Sequence, residues 1–393
     1  MLPFARLVSY GNEVPKPPSV KKIVGDPLGI TVLYSDGDMF MRGGGSSYKM
    51  GNSSTTAVLN SWVKCQKKVI DVWACTYCTI ILADDGKLYH AGAKSVFGTS
   101  GTNPVFTDVS STFTSLNMSA IKDIQFTLST STDISALILM QDGALYGIGD
   151  NPDFWSGKRL SPVLMTTGVE QIFGSALQNS FHYIKSGVYY RAGENNFYQL
   201  GTGNVGSVVN YPSLTLSGTV LSVQSINNVT KLLVLEGSVY KLYTAGNNAN
   251  LSIGNTAVTS FENSTFQVTS VLPGLTANSF QNISSVSYLC ALRNSDGLIC
   301  TNGGGNSTTG GGLGRDISSN LNYQRGNYFP VQFDDITING ADVDKFGMIG
   351  NGNTSVLSIG GDLYWCGSIS YFKEQGVGTS GTQTKFRKCI PFK

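Results

Sequence analysis

Short apolar runs of four to six residues recur along the chain, and each run ends in a turn that contains glycine. Runs of this length, rich in β-branched and aromatic residues and bounded by turn residues, predict strands that are buried on both faces. No segment has the 3.6-residue period with end caps that predicts an amphipathic helix. The clearest runs lie at residues 30–34, 79–83, 136–140 and 232–235.

A short sequence motif with two spaced glycines follows such runs seven times, at intervals of 44 to 64 residues. Its first glycine comes after a small or acidic residue and predicts a tight hairpin, because glycine adopts positive φ without strain. A second glycine follows six residues later in six copies and nine residues later in the fifth copy. The pairs are Gly37 and Gly43, Gly86 and Gly92, Gly143 and Gly149, Gly187 and Gly193, Gly237 and Gly246, Gly297 and Gly303, and Gly361 and Gly367.

A further strand opens the repeat units, for example at residues 20–24, 69–72, 121–126, 169–173 and 341–346. A repeat of this length with strand signals is typical of propeller blades, each of which is a small antiparallel sheet. We therefore expect residues 1–393 to form a single propeller domain. The predicted units are about 20–68, 69–120, 121–168, 169–220, 221–281, 282–340 and 341–393.

The repeat resembles that of the regulator of chromosome condensation family. The best copy spans residues 187–201, with Gly193, Asn195 and the sequence Gln-Leu-Gly that ends at Gly201. The resemblance covers roughly residues 20–390. It implies an all-β fold, the seven-bladed β-propeller of the regulator of chromosome condensation type.

A propeller has to join its last blade to its first. Proline followed by apolar residues occurs near both ends of the chain, at residues 14–20 and 388–392. We therefore expect the two termini to lie side by side, to close the ring and to complete one mixed blade.

The composition argues against several classes of function. Charged residues make up 13% of the chain, and 27 basic residues against 25 acidic ones give a net charge of +2. This balance is unlike that of a nucleic-acid-binding protein, so no nucleic-acid partner is expected. The sequence has neither an apolar stretch long enough for a membrane span nor a secretory signal.

Seven cysteines invite a search for metal or disulfide sites. Cys75 and Cys78 lack the second pair that a zinc site needs, and residues three apart in one strand point to opposite faces. We therefore expect these two thiols to serve packing. Cys290 and Cys300 flank a predicted hairpin, which suits two core thiols or a cross-strand disulfide.

No catalytic, metal-binding or cofactor-binding residue is predicted. His90 and His182 are the two histidines of the chain, and they lie in different repeat units, which argues against a catalytic triad. The glycine run at residues 303–314 lacks the lysine and the following helix of a phosphate-binding loop. The acids of the Asp-Gly turns are explained by hairpin formation rather than by calcium binding; they are Asp36, Asp85, Asp142 and Asp296.

Aromatic residues recur between the second and third glycines of the units, on loops that lie on one side of the ring. They suit either packing between blades or exposed anchors for a partner. A second candidate surface is the insertion around residues 315–330, which is rich in the arginine and tyrosine favoured at interfaces. The candidate partner-binding residues are Trp155, Tyr198, Phe372, Arg315, Tyr323, Arg325 and Tyr328.

These features together favour a non-enzymatic binding or structural module with protein partners. The low charge and the loops rich in Ser, Thr, Asn and Gly are typical of virion proteins, such as bacteriophage tail, collar or decoration components. On this reading the partners are other virion proteins or a host surface receptor. The family resemblance implies two alternatives, a guanine-nucleotide exchange factor for a small GTPase or an adaptor propeller, with a cytoplasmic or nuclear location.

Overall fold

The computed structural model describes residues 18–128, 133–149, 154, 158–175, 179–226, 228–248, 253–254, 262–269, 274–284, 289–303, 311–317, 326–349, 354–368 and 382–389. These residues form 28 strands in seven sheets, which are the blades of a β-propeller. Short 3-10 helices lie in the connections at Ser46–Tyr48, Lys94–Phe97, Ser110–Phe113, Met118–Ala120, Gly311–Leu313 and Gly340–Asp342.

The first four blades each contain four consecutive antiparallel strands. Blade 1 consists of β1 (Val20–Gly25), β2 (Gly29–Tyr34), β3 (Met39–Gly43) and β4 (Val58–Lys64). Blade 2 consists of β5 (Val69–Ala74), β6 (Cys78–Ala83), β7 (Leu88–Ala93) and β8 (Thr102–Asp108). Blade 3 consists of β9 (Ile121–Leu128), β10 (Ile134–Met140), β11 (Leu145–Gly149) and β12 (Arg159–Thr166). Blade 4 consists of β13 (Val169–Ser175), β14 (Ser180–Lys185), β15 (Val188–Gly193) and β16 (Ser213–Leu214).

The last three blades are less uniform. Blade 5 consists of β17 (Thr219–Ile226), β18 (Val229–Glu236), β19 (Val239–Asn247) and β20 (Glu262–Thr269). Blade 6 contains β22 (Leu289–Arg293), β23 (Ile299–Gly303) and β24 (Phe329–Pro330), and it is preceded by β21 (Ile283–Ser284). Blade 7 consists of β25 (Lys345–Ile349), β26 (Thr354–Ile359), β27 (Asp362–Ser368) and β28 (Thr382–Lys388), and β21 pairs in parallel with β25.

The hydrophobic core of the propeller is divided into seven clusters, one between each pair of neighbouring blades. The second strand of blade 1 shows why. Leu33 packs toward blade 2, whereas Ile30 and Val32 pack toward blade 7. Successive side chains of a strand point to opposite faces, so a strand between two clusters is buried on both faces and is apolar at most of its positions. This requirement explains the continuous apolar runs of the sequence.

Blades 1 and 7 close the ring by packing. Val20 and Ile23 of β1 share one cluster with Ile349 and Trp365 of blade 7. A Cβ atom at Gly25 would lie 1.8 Å from a backbone oxygen of blade 7, so the two inner strands are nearly in backbone contact. Among the described residues each of these two blades takes its strands from one end of the chain. Residues 1–17 and 390–393 lie outside the described residues, so a mixed blade completed by the termini stays a prediction.

The second glycine of the repeat has a structural cause that Gly193 illustrates. Its φ is +121°, a value that side chains disfavour. A Cβ atom there would also lie 2.1 Å from the carbonyl oxygen of Asn179, just before the neighbouring strand. Glycine is therefore required both by the backbone angle and by the close approach of the second and third strands.

Candidate functional site

The inner strands of the ring line a central cavity of about 740 Å³. Its walls come from β1, β5, β9, β13, β17 and β21, and Lys345 of β25 contributes as well. The lining mixes charged and amide side chains with aliphatic and aromatic ones. The cavity is therefore a mixed polar and apolar space at the axis of the propeller rather than a continuation of the core.

The starts of the inner strands can be compared position by position, because their chain order is equivalent in all seven units and their pairing is equivalent in blades 1 to 5. The first position is buried and apolar in all seven units; it holds Val20, Val69, Ile121, Val169, Val220, Phe280 and Val343. The second position is half-buried at Leu221 and exposed in the other six units. We call this second set the channel mouth; it comprises Lys21, Ile70, Lys122, Glu170, Leu221, Gln281 and Asp344.

A β-bulge produces this exposure. In blades 1 to 5 the pairing of the inner strand with its neighbour shifts register at the second position, for example between Val20 and Lys22. The bulged residue has no partner opposite it and is turned out of the sheet. The fold thus places one side chain from each of these blades at the same end of the cavity, whatever its chemistry.

Polar contacts tie neighbouring blades together at the channel mouth. Lys21 Nζ donates to the Ile70 carbonyl at 2.6 Å, and Lys122 Nζ donates to the Glu170 carbonyl at 2.8 Å. Lys22 forms an ion pair of 2.9 Å with Asp71. These bonds run from one inner strand to the next, so they fix the relative positions of the side chains that form this surface.

Deeper in the cavity, Asp123 is the central polar group. It accepts hydrogen bonds from Trp73 Nε1 at 3.0 Å and from Gln125 Nε2 at 2.8 Å. Burial raises the pKa of Asp123, and the positive charge of Lys22 and the bond from Gln125 oppose this rise. Gln224 lines the same cavity and donates to the Ala291 carbonyl, while its own Oε1 has no protein partner among the described residues.

The structure places two of the candidate partner-binding residues in the interior. Arg315 and Tyr328 are each 3% exposed. Arg315 donates to the Thr301 carbonyl at 3.0 Å, and the Tyr328 hydroxyl accepts from the buried Lys231. These two side chains therefore do not lie on the surface, because Arg315 bonds to blade 6 and Tyr328 packs between blades 5 and 6. Burial lowers the pKa of Arg315 to about 10.

Tyr198 is half-buried with a positive φ of 60°, and its neighbour Phe197 is the more exposed member of the doublet at 40%. The order of exposure is thus the reverse of the expected one in this unit. Trp155, Tyr323, Arg325 and Phe372 lie outside the described residues. Partner binding by any of the seven candidate residues stays a prediction.

The two histidines are both completely buried. The His182 ring lies 3.1 Å from Ser180 Oγ and 2.7 Å from the Tyr189 hydroxyl, a serine–histidine contact that sequence spacing did not reveal. Because all three side chains are fully buried, this group is a satisfied polar cluster within the core. The described residues contain no group of three or more side chains suited to hold a metal ion.

The cysteines differ from expectation in one respect. Cys75 and Cys78 do not occupy one strand, because the turn between β5 and β6 separates them and brings their sulfur atoms to 3.4 Å. Their placement on opposite faces is therefore wrong. Cys290 and Cys300 are both buried thiols rather than a cross-strand disulfide, and each lies opposite a residue other than the other cysteine.

Sequence comparison gives no family model and no curated protein that matches this chain. Comparison of structures gives clear matches in fold. Yeast RCC1 (Prp20), solved with Kap60, superposes with a TM-score of 0.64 at 14% identity, over 84% of this chain and 78% of that one. Human WBSCR16 superposes with a TM-score of 0.60 at 13% identity, over 86% of this chain and 87% of that one. The chain therefore has the seven-bladed β-propeller fold of the regulator of chromosome condensation type.

No helix of the described residues is long and apolar enough to cross a membrane. The channel mouth was not among the residues singled out from the sequence. Its signal was nevertheless present, since a variable, mostly polar position follows a constant apolar one at the start of every unit.

Proposed function

We propose that this chain is a non-enzymatic propeller that binds a protein partner through the channel mouth. One observation carries the proposal. The positions on either side of the mouth residue in each inner strand are dictated by packing or by inter-blade bonds, whereas the mouth position varies from Lys to Glu to Ile. Lys21 and Lys122 also bond to the next inner strand, but the fold does not impose one residue type at this position, so its exposed side chains can serve recognition.

The chemistry of the channel mouth favours a protein over a nucleic acid. Lys21 and Lys122 are balanced by Glu170 and Asp344, and Ile70 adds an exposed aliphatic group that is 42% accessible. A phosphate backbone selects for concentrated positive charge, which this surface lacks. A mixture of both charge signs with apolar groups is typical of contacts between proteins.

The proposal is tested with matched aspartate variants. Ile70→Asp changes the channel mouth on the inner strand β5, whereas Val239→Asp changes a position that is 55% exposed at the start of β19, the third strand of its blade. Each chain is immobilised and incubated with an extract of the producing cells, and captured proteins are quantified by mass spectrometry. We expect a protein that wild type and Val239→Asp retain and that Ile70→Asp loses.

A third variant tests the opposite face. The strands of a blade alternate in direction, so the loop that carries Tyr198 lies at the other end of the propeller from the channel mouth. Trp155 and Phe372 belong to the same proposed surface as Tyr198, and Tyr323 and Arg325 to the separate surface proposed for the insertion at residues 315–330. Loss of the captured protein in Tyr198→Ala, with full retention in Ile70→Asp, would move the binding site there.

We place the protein on a virion, as a bacteriophage tail, collar or decoration component. Charged residues make up only 13% of the chain, and its loops are polar and rich in glycine; both features support this location. The partners are then other virion proteins or a receptor on the host surface. An antibody raised against the chain should label purified particles, and particles free of the chain would contradict the assignment.

The similar fold of yeast Prp20p, characterised for its binding to Gsp1p and histones, supports a second candidate function. This is guanine-nucleotide exchange on a small GTPase, with an adaptor role as a further variant. The assay is release of a fluorescent guanine nucleotide from a purified small GTPase. We expect no acceleration by this chain, and a clear acceleration would favour exchange activity over the virion role.

A further inference from the structure

The turn between β5 and β6 holds two thiols in contact. Cys75 Sγ and Cys78 Sγ lie 3.4 Å apart, and the Cys75 N–H donates to the Cys78 carbonyl at 2.9 Å. Both side chains are completely buried. The other five cysteines are also free and buried, so the chain carries internal reference thiols.

The backbone at this turn is compatible with a disulfide. Residues that face each other in a hydrogen-bonded antiparallel pair have Cα atoms about 5.5 Å apart. Disulfides span Cα separations of about 4.4 to 6.8 Å, so no large backbone movement is needed. The sulfur atoms must approach by roughly 1.4 Å to reach the bond length of about 2.05 Å.

The fold does not demand cysteine at these two positions. In blade 5 the equivalent residues are Ile226 and Val229, which pair across the same turn. In blade 1 they are Asp26 and Gly29, whose backbone groups make the equivalent hydrogen bond at 2.9 Å. Packing therefore accepts aliphatic or small residues here, and two thiols need another explanation.

Cys75 borders the central cavity, although its side chain is completely buried, so a small oxidant reaches the pair from the propeller axis through a local opening of the cavity wall. The two thiols also differ in acidity. Burial raises the pKa of Cys75, but hydrogen bonds from the Cys78 thiol and from the N–H groups of Tyr77 and Cys78 outweigh it and lower the pKa. The bond to Cys75, together with burial, raises the pKa of Cys78. Cys75 is therefore the attacking thiolate.

We propose that Cys75 and Cys78 form an oxidisable dithiol that hydrogen peroxide converts to a disulfide. The Cys75 thiolate attacks one peroxide oxygen, the O–O bond breaks, and Cys75 sulfenic acid and hydroxide form. The Cys78 sulfur then attacks the Cys75 sulfur, the S–O bond breaks, and the released hydroxide takes up the Cys78 proton to leave as water. Two thiols are oxidised and one peroxide is reduced to two waters.

The test follows the thiols by mass spectrometry of the native protein. Trypsin releases residues 69–87, which contain Cys75 and Cys78 and no other cysteine. After peroxide treatment and alkylation, this peptide should lose two hydrogens and escape alkylation, at least about tenfold faster than the other five cysteines react. Dithiothreitol should restore both thiols.

Three variants separate the roles. Cys78→Ser should stop at a Cys75 sulfenic acid that dimedone traps, whereas Cys75→Ser should react slowly at Cys78. The double variant Cys75→Ile, Cys78→Val copies blade 5 and should keep the wild-type unfolding transition while losing the rapid reaction. The proposal is overturned if native residues 69–87 keep both thiols at a peroxide dose that bridges them in the unfolded chain. It is equally overturned if all seven cysteines react at one rate.

Discussion

Acidification from pH 7 to pH 5 should destabilise the propeller through its two buried histidines. Asn103 Nδ2 donates to His90 Nδ1 at 3.0 Å, and Ser180 and Tyr189 hydrogen-bond to His182. Burial lowers the pKa of His90 to about 3. Burial, reinforced by the nearby positive charge of Arg191, lowers the pKa of His182 to about 3 as well.

Acid lowers the stability of the folded state because the unfolded chain binds protons at a higher pH than the folded chain does. An unfolded histidine has a pKa of about 6.5, so the unfolded chain takes up two protons between pH 7 and pH 5. The folded chain takes them up only near pH 3. This contribution to stability is therefore present above pH 6.5 and is lost progressively as the pH falls toward 3.

The magnitude follows from the same pKa values. At pH 5 the unfolded histidine lies roughly 1.5 pH units below its pKa, which at 1.36 kcal/mol per unit gives a loss of about 2 kcal/mol per histidine. The two sites lie in separate clusters and should add, for a total of about 4 kcal/mol. Asp123 opposes this loss to some degree, because burial raises its pKa and the folded state then gains stability in acid.

Denaturant unfolding, followed by tryptophan fluorescence at pH 5, 6 and 7, measures the effect. The variants are His90→Gln, His182→Gln and the double variant. Each substitution also removes native contacts, so the readout is the change between pH 7 and pH 5 rather than the stability at one pH. Each single variant should lose about half of the pH dependence, and the double variant should lose nearly all of it.

Two carboxylates with lowered pKa values, Asp108 and Glu236, do not hide the effect of the histidines on stability between pH 7 and pH 5. Hydrogen bonds from Ser110 and Lys87 lower the pKa of Asp108 to about 2, and bonds from Lys241, Ser217 and Tyr243 lower that of Glu236 to about 2. The stability that these carboxylates supply is lost mainly below the pKa of about 4 that they have when unfolded. A wild-type stability that stays constant from pH 7 to pH 5 would refute the reasoning, and so would a double variant with undiminished pH dependence.

Three further predictions concern stability and are measured by denaturant unfolding. Gly25→Ala should cost about 3 kcal/mol, because the new Cβ would meet blade 7 backbone, whereas Gly274→Ala, with its nearest neighbour at 3.5 Å, should change little. Asp26→Asn breaks a buried ion pair of 2.6 Å and should cost about 3–5 kcal/mol, while Asp108→Asn in an exposed pair should cost far less. Phe386→Ala empties a fully buried site on the outer strand of blade 7 and should cost about 3–5 kcal/mol. Equal effects of either matched pair, or an unchanged Phe386→Ala, would contradict these packing arguments.

The fold could be predicted from the sequence because the repeat makes the same demands seven times. The glycine at position 193 is fixed by a positive φ and a close backbone approach, and its counterparts recur for the same reasons. The apolar second strands are fixed by burial on both faces. These are local and repeated constraints, so they appear in the sequence as a readable pattern.

Ring closure and loop burial depend on contacts between distant segments, which the sequence does not show directly. Among the described residues the closing contact is a hydrophobic cluster that contains Val20 and Trp365, and apolar termini suit this packing as well as a mixed blade. Arg315 looked like an interface residue, yet it is an internal donor to blade 6 backbone. Composition alone does not distinguish a guanidinium that serves a partner from one that serves the chain itself.

The Cys75–Cys78 turn was missed for a different physical reason. Residues 70–83 are apolar or small almost throughout and contain neither glycine nor proline. The sequence predicts separate strands at residues 69–72 and 79–83, but a turn without glycine or proline has no local signal, so its position between the two cysteines is not predicted. Where the same turn in blade 1 contains Asp26, Pro27 and Gly29, the break is visible in the sequence.

Equivalent positions in the seven blades also show where the fold does not determine the type of side chain. At the same position in the second strand, blade 1 has Thr31, blade 4 has His182 and blade 5 has Lys231, all buried. Each finds its own partners, such as Asn302 and the Tyr328 hydroxyl for Lys231, so one backbone tolerates very different interiors. Stability then depends on seven separate interfaces between neighbours, and a change in one need not disturb the rest. A surface built from one residue per blade can vary on such a frame, which is why the channel mouth is the part of this molecule best suited to select a partner.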